Sequence, residues 1–224
     1  QSGRVAARQG WMNQTPNGMP VVGYTDAYTQ LLLHMNGGNG SAVFTDSSQY
    51  AHAIEAVAGA TQSTAQTKFG VSSYKDNANT MLATPATSGL QLSTAGDFTI
   101  EMWVWINTGS AAGTLLYLPN PTGPTPLNLR YNGTPIITAL GTDASNVNIY
   151  NLSTATVSTN AWHHVAVVRQ GTTYTLYMDG TRQATVTQAG TLAAFTVDPS
   201  IGRGLAIGGH FGSDYPDGDL CDFR

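Results

Sequence analysis

Cysteine and charge are both scarce in this sequence, and each scarcity excludes a class of protein. The 224 residues contain one cysteine, Cys221, so the chain cannot form an internal disulfide framework or a zinc site built from several thiolates. Charged residues make up 10% of the chain and the formal net charge is -4, which leaves no broad positive field to attract a phosphate backbone. We therefore expect no nucleic-acid partner.

Long apolar runs and helical periodicity are also missing. No run of about 18 apolar residues occurs, and the amino end lacks the charged and apolar regions of a signal peptide, so we expect no membrane insertion. The best helical candidate, residues 50–60, is rich in alanine but short, and Gly59 ends it. The chain opens at Gln1 without a methionine and stops at Arg224 directly after strand-like residues, which suggests a fragment of a longer protein.

One stretch shows strand periodicity clearly. In residues 98–106, apolar side chains alternate with a second set that includes Glu101, Trp103 and Trp105, a period of two that is typical of a β-strand. The second set is aromatic rather than simply polar. The pattern predicts a strand that lies inside its sheet or lines a concave binding surface.

Turn signals divide the rest of the chain into short strands. Residues 161–187 contain three β-rich runs separated at 170–171 and at 179–180, an Asp-Gly pair that favours a type I′ hairpin, so we predict a three-stranded antiparallel meander. Residues 127–131 and 136–140 flank an Asn-Gly pair and predict a second hairpin. A further strand is predicted at 31–35. Many short strands with frequent turns indicate a β-sandwich or a barrel.

Six stretches, in order, resemble the laminin-G-like domains of concanavalin A-like type. They are LLLHMNGGNGSAVFTDSS, STAQTKFG, GDFTIEMWVWI, NAWHHVAVVRQGTTYTLYMDG, LAIGG and GDLCDFR. Domains with the first two stretches are most similar to those of phage tail and other virion-surface proteins. The resemblance implies an all-β fold, a two-sheet antiparallel jelly-roll sandwich over residues 30–224, with an extended N-terminal arm over residues 1–29.

The family's structural calcium ion is the one candidate cofactor that the resemblance offers, and oxygen atoms are its suitable ligands. The candidate ligands are Asp46 and Asn36, by analogy with the family, and Asp219 and Asp222, from the acidic C-terminal stretch that also holds Asp214 and Asp217. Asn36 stands where the family often has aspartate, and a solvated turn would explain the C-terminal acids without an ion.

Three aromatic side chains are candidates for glycan binding, because flat rings cover the apolar face of a pyranose. They are Trp105, Trp103 and Tyr177. Trp103 and Tyr177 match framework positions of the family, so packing explains both, and Trp105 is the strongest of the three.

Glycoside hydrolases share this type of sandwich and need two carboxylates across the scissile bond. The chain has two glutamates, Glu55 and Glu101, and the same-face neighbours of Glu101 along its strand are Thr99 and Trp103 rather than acids. A second carboxylate to act with Glu101 could come only from a distant loop, for example at Asp143. We therefore predict that the protein has no catalytic site.

These observations leave three functions open. The first is a non-enzymatic virion structural protein, a tail, fibre or capsid-decoration component at the virion surface or outside the cell, present in several copies or as a homo-oligomer and contacting other virion proteins. This interpretation depends on analogy. The alternative is a lectin-like adhesion module for host-surface glycans. The third is a glycan hydrolase.

Overall fold

The structure, a computed structural model, describes residues 27–76, 79–85, 90, 92, 94–118, 123–195, 203–209 and 216–224. Fourteen strands and no helix occur in these residues, and accordingly none of them belongs to a helix that could cross a membrane. The strands are β1 (Glu55–Val57), β2 (Thr61–Ser63), β3 (Ser73–Asp76), β4 (Met81–Pro85), β5 (Phe98–Ile106), β6 (Gly113–Leu118), β7 (Leu127–Tyr131), β8 (Ile137–Thr142), β9 (Asn148–Ser153), β10 (Trp162–Gln170), β11 (Thr173–Met178), β12 (Thr181–Thr187), β13 (Arg203–Ile207) and β14 (Gly218–Cys221).

The strands form two antiparallel sheets of seven strands each. The first sheet has the order β1-β4-β13-β6-β7-β8-β9, and the second has the order β12-β11-β10-β5-β14-β3-β2. Buried side chains of both sheets join in one hydrophobic core. The predicted two-sheet antiparallel sandwich is therefore confirmed.

Strand β5 shows how the sequence pattern produces this core. Its alternate residues Ile100, Met102, Val104 and Ile106 are at most 9% exposed, while the residues between them stay partly exposed or exposed. Removing one such apolar side chain from water stabilises the fold by about 1.5–3 kcal/mol. Because β5 is the fourth of seven strands, the prediction of an interior strand is confirmed.

Both predicted hairpin regions are also confirmed. Strands β10, β11 and β12 are consecutive neighbours in the second sheet, and β7 pairs with β8 in the first. At the β11–β12 turn, Asp179 has a φ of 50° and Gly180 a φ of 74°, the two positive values that a type I′ turn requires. Aspartate and glycine are among the residues that adopt this conformation at least cost.

Two local predictions differ from the structure. Residues 31–35 make only isolated bridges, in which Leu33 pairs with Phe223 and with Asp46, so the predicted strand is an extended segment. The helical candidate at 50–60 is wrong, because the segment contains β1, which pairs antiparallel with β4. A helix this short is marginal alone, whereas pairing with β4 satisfies the main chain and packs Ala56 against the core.

The predicted N-terminal arm is almost entirely outside the described residues. Only residues 27–29 of the segment 1–29 are described. The Ala27 carbonyl accepts a hydrogen bond from Gln49 Nε2 at 3.1 Å. The division of the chain at residues 29 and 30 stays a prediction.

Candidate functional site

The outer face of the second sheet carries a cluster of partly exposed aromatic side chains. Pairing of β10 with β5 places Trp162 opposite Trp105 and His164 opposite Trp103, and Phe69 joins them from the segment before β3. The intervening residues of β5 point into the core, so these rings face away from the first sheet. We call the five residues the aromatic surface. Contiguous apolar patches that remain accessible often mark binding sites.

Two rings of this surface form an aromatic pair. The centroids of Trp105 and Trp162 are 6.0 Å apart, with an angle of 61° between the ring planes, an edge-to-face arrangement that is favourable for aromatic rings. Trp105 Nε1 donates a hydrogen bond of 3.0 Å to Asn107 Oδ1, and Asn107 Nδ2 donates one of 2.9 Å to Asp217 Oδ1. Two hydrogen-bonded polar side chains, Asn107 and Asp217, therefore border the pair.

The position of Asp217 beside the aromatic pair depends on a glycine. Strand β14 runs alongside β5 with Asp219 opposite Trp105 and Gly218 opposite Ile106. A Cβ atom at Gly218 would lie 2.0 Å from the Trp105 carbonyl oxygen, so any other residue would push the two strands apart.

Two loops add further polar groups at the same end of β5 and β10. The Thr108 amide donates to Asn160 Oδ1 at 3.1 Å, and Asn160 Nδ2 donates to Thr108 Oγ1 at 2.8 Å. Thr159 Oγ1 lies 3.0 Å from Thr108 Oγ1. These bonds are exposed, so the loops present amide and hydroxyl groups to solvent next to the tryptophan pair.

Trp103 is surrounded more closely by its own chain. Lys68 Nζ lies 4.0 Å from the ring centroid, Phe69 meets the ring edge-to-face at 5.6 Å, and the His164 ring lies at 5.3 Å. Its Nε1 atom is buried and has no hydrogen-bond partner among the described residues. Three side chains of the protein itself therefore lie against this ring.

Tyr177 lies on the same face of the sheet but away from the pair. It is opposite Ala166 in β10, which in turn is opposite Glu101 in β5. Glu101 is four residues from Trp105, which at the rise of a strand corresponds to roughly 13 Å. The structure therefore brings Trp103 and Trp105 together and does not bring Tyr177 to them.

Glu101, the candidate acid of a hydrolase, is engaged by two basic side chains. Its carboxylate lies 3.3 Å from His164 Nε2 and forms a salt bridge with the Arg224 guanidinium. Burial acts to raise the pKa of Glu101, but His164 and Arg224 outweigh it and lower the pKa below the usual value. A general acid of a glycosidase needs the opposite shift.

The distant loop acid considered as its partner lies elsewhere. Asp143 Oδ1 accepts hydrogen bonds from the Ser145 amide at 2.8 Å and the Val147 amide at 2.9 Å. These bonds close the turn between β8 and β9 of the first sheet. Glu101 lies on the outer face of the second sheet, so the structure does not pair the two carboxylates.

Asp46, one of the four candidate calcium ligands, holds segments of the chain together, and Asn36 packs closely against another segment. Asp46 Oδ1 accepts from the amides of Leu32 and Ser48, and its Oδ2 accepts from the His52 amide and from Ser48 Oγ, all at 2.7–2.9 Å. Asn36 Oδ1 lies against Gly70, where a Cβ atom would be 1.9 Å away. Both side chains thus make close contacts within the protein.

The other two candidates lie on or next to β14. Asp222 Oδ1 is 2.8 Å from His34 Nδ1. Asp219 Oδ1 accepts a 2.9 Å hydrogen bond from Ser73 Oγ, and burial raises the pKa of Asp219 to about 6. No set of three or more histidine, cysteine or acidic side chains in the described residues is arranged to hold a metal ion. Asp214 is outside those residues, and calcium binding stays a prediction.

Reasoning from the sequence missed Trp162 and Asn107 as site residues. Alternation along residues 162–170 puts Trp162 and His164 on one face, and that signal is present in the sequence. Their partners on β5 follow only from the long-range pairing of the two strands. Asn107 and Asp217 are 110 residues apart, and no local pattern joins them.

Comparison with known proteins agrees with this architecture. Residues 75–224 match the model of the concanavalin A-like lectin/glucanases superfamily, whereas no curated protein matches the sequence. Similar solved structures include the binding domain of botulinum neurotoxin serotype G (13% identity, TM-score 0.60, covering 87% of this chain and 46% of that one). The binding domain of Paraclostridial Mosquitocidal Protein 1 is also similar (14% identity, TM-score 0.62, covering 87% of this chain and 48% of that one).

A third structure is the binding domain of botulinum neurotoxin DC in complex with SialylT (10% identity, TM-score 0.60, covering 86% of this chain and 46% of that one). The chain thus spans about half the length of these binding domains. At such identities the likeness establishes the fold.

Proposed function

We propose that this chain, which belongs to the concanavalin A-like lectin/glucanases superfamily, is a carbohydrate-binding module without catalytic activity. The observation that carries the proposal is the partly exposed Trp105–Trp162 pair on the outer face of the second sheet, bordered by amide, hydroxyl and carboxylate groups.

The chemistry of this site matches that of a sugar ring. A pyranose has an apolar face of C–H groups, which aromatic side chains cover, and a rim of hydroxyls, which need polar partners. The Trp105–Trp162 pair supplies the aromatic area. Asn107, Asp217 and the loop at 159–160 supply donors and acceptors at its border.

The similar solved structures support this choice at the level of fold. They are named as binding domains, and one was solved in complex with SialylT. Lectins and glucanases share the superfamily, so the choice between binding and hydrolysis depends on the residues. Glu101 is paired with His164 and Arg224, and the other candidate acid, Asp143, lies in the first sheet, which favours binding.

The proposal also includes a location for the protein, the surface of a virion. The resemblance of residues 31–48 to virion-surface domains supports display in several copies next to other virion proteins. Multiple copies would turn weak single contacts into avid attachment. Mass photometry of the purified protein, together with imaging of particles labelled by an antibody against it, would test this part. A monomer that labels no particle would contradict it.

Glycan-array binding followed by calorimetry tests the main proposal. The wild-type protein should bind at least one glycan class, and Trp105→Ala and Trp162→Ala should each weaken that binding at least ten-fold. Tyr50→Ala is the matched control, because Tyr50 is also an exposed aromatic residue, at 46% exposure. Hydrolysis of a bound glycan, or unchanged affinity in both tryptophan variants, would refute the proposal.

A further inference from the structure

A cleft of about 380 Å³, which shares no lining residue with the aromatic surface, lies between two segments near residues 33–37 and 41–47. Leu33 pairs with Asp46, and the Ser47 amide donates to the Leu32 carbonyl at 2.8 Å. Beyond this contact the segments diverge. The polar lining consists of His34, Asn36, Ser41, Thr45, Ser47 and Gln62.

The side chain of Gln62 holds the two segments apart. Its Oε1 accepts a 2.6 Å hydrogen bond from the Gly37 amide, and its Nε2 donates one of 2.7 Å to the Val43 carbonyl. Because Gln62 is 2% exposed, it forms the floor of the cleft. The gap is therefore fixed by hydrogen bonds to a buried side chain rather than left to loop mobility.

A buried carboxylate orients the histidine on the wall of the cleft. His34 Nδ1 lies 2.8 Å from Asp222 Oδ1, and the side chain of Asp222 is 4% exposed whereas that of His34 is 32% exposed. A carboxylate accepts a hydrogen bond, so Nδ1 donates to Asp222 Oδ1, and this contact does not use Nε2. Nε2 is the ring nitrogen left for a ligand in the cleft.

Positive φ values occur in both segments that form this histidine–aspartate pair, at Met35 next to His34 and at Asp222 itself. Met35 has a φ of 56° and Asp222 a φ of 46°. Positive φ is uncommon for residues other than glycine, and for a long side chain such as methionine it costs free energy. Conformations of this kind persist where the surroundings determine them, and they cluster at functional sites.

The lining indicates the class of ligand. The serine and threonine hydroxyls can donate or accept hydrogen bonds, Nε2 of His34 can form one more, and the exposed side chain of Val43 supplies apolar contact. No carboxylate or lysine or arginine side chain lines the cleft among the described residues, so a neutral ligand fits it best. The volume is at the lower end of the roughly 300–1,000 Å³ of small-molecule sites.

We propose that this cleft is a second binding site, for a neutral polyhydroxylated molecule the size of one sugar ring, in which His34 Nε2 forms a hydrogen bond with a ligand hydroxyl. The proposal does not depend on the Trp105–Trp162 pair, because the two sites share no residue.

Nitrogen-15 NMR of the histidine rings in the full chain tests the proposal, with methyl glycosides of glucose, galactose, mannose and N-acetylglucosamine as probes. At least one glycoside should shift His34 Nε2 while His52, a second partly exposed histidine, stays unchanged. His34→Ala should weaken that binding at least ten-fold, and Trp105→Ala should leave it unchanged.

Three results would overturn the proposal. The first is that no probe shifts the His34 ring. The second is that His34→Ala binds the glycoside as the wild type does. The third is that divalent cations shift the ring and no glycoside does. The wild-type spectra decide the first and third results even if His34→Ala does not fold. Failure of the tryptophan variants on the glycan array would leave these outcomes unaffected, so the two proposals fail separately.

Discussion

The two faces of strands β5 and β10 differ in what surrounds their side chains. On the inner face, Met102 and Val104 of β5 and Val165 of β10 are completely buried in the core. On the outer face, the alternate residues Trp105 and Trp162 remain partly exposed and lie beside hydrogen-bonding groups. The same two strands thus stabilise the fold through one set of residues and carry the proposed binding surface through the other.

The largest expected effect is a loss of stability from the inner face. Met102→Ala removes a completely buried side chain and leaves a cavity, so we expect the free energy of unfolding to fall by about 2–5 kcal/mol. Urea unfolding would measure it. Glycan affinity of the remaining folded protein should be unchanged, and a parallel loss of affinity would mean that the two faces are not independent.

The next effect concerns a buried acid at the border of the aromatic surface. Burial raises the pKa of Asp219 to about 6, above the value of about 3.9 in an unfolded chain, so the folded state holds the proton more tightly. The stability due to this group is present below about pH 4 and is lost as the pH rises through about 6, a change on the order of 3 kcal/mol.

Asp219→Asn cannot ionise and should remove this part of the pH dependence. Urea unfolding from pH 4 to pH 7 would compare the variant with the wild type. Asp76 contributes a dependence of the same sign in both proteins, since burial raises its pKa well above the usual value, and in the wild type the charge of Asp219 raises that pKa further. Equal slopes in the two proteins would show that Asp219 is ionised throughout this range.

A smaller effect is expected at the polar border of the aromatic pair. Asn107→Ala removes the acceptor for Trp105 Nε1 and a donor to Asp217, and one such hydrogen bond contributes about 1 kcal/mol. Glycan affinity should fall about five-fold in calorimetry. Thr187→Ala, on β12 of the same sheet, is the control and should bind normally. Equal affinities of all three proteins would place the ligand elsewhere.

The smallest effect is expected at Trp103. Lys68→Met keeps the length of the side chain but removes the charge that lies 4.0 Å from the ring centroid. Cation–π contacts of this kind contribute about 0.5–1 kcal/mol at exposed sites, so the free energy of unfolding should fall by that amount. Tryptophan fluorescence during urea unfolding would measure it, and a gain in stability would contradict the assignment.

Local patterns in the sequence predicted a large part of this fold, because the features concerned depend on neighbouring residues. Alternation over residues 98–106 gave a strand with one buried face, and the Asp179-Gly180 pair predicted a turn with two positive φ values. The helix predicted at residues 50–60 is wrong because a long-range contact, rather than the neighbouring residues, determines the structure there. Alanine favours a helix locally, but pairing with β4 decided the structure there.

The site was predicted only in part because its residues meet through long-range pairing. Trp105 and Trp103 were identified from one strand, and Tyr177 was grouped with them on chemistry alone. Trp162 meets Trp105 through the register of β10 on β5. Lys68 comes from a segment whose sequence has no hydrophobic periodicity. Close approach at Gly218 cannot be read from neighbouring residues either.

NMR spectra of the indole N–H groups during titration with a glycan from the array would test the central claim most directly. The chain has four tryptophans, so the signals can be assigned by single substitutions. We predict that the signals of Trp105 and Trp162 shift together and saturate with the calorimetric affinity, while that of Trp103, enclosed by Lys68, Phe69 and His164, shifts less. Saturable binding that leaves the Trp105 and Trp162 signals unmoved would contradict the account.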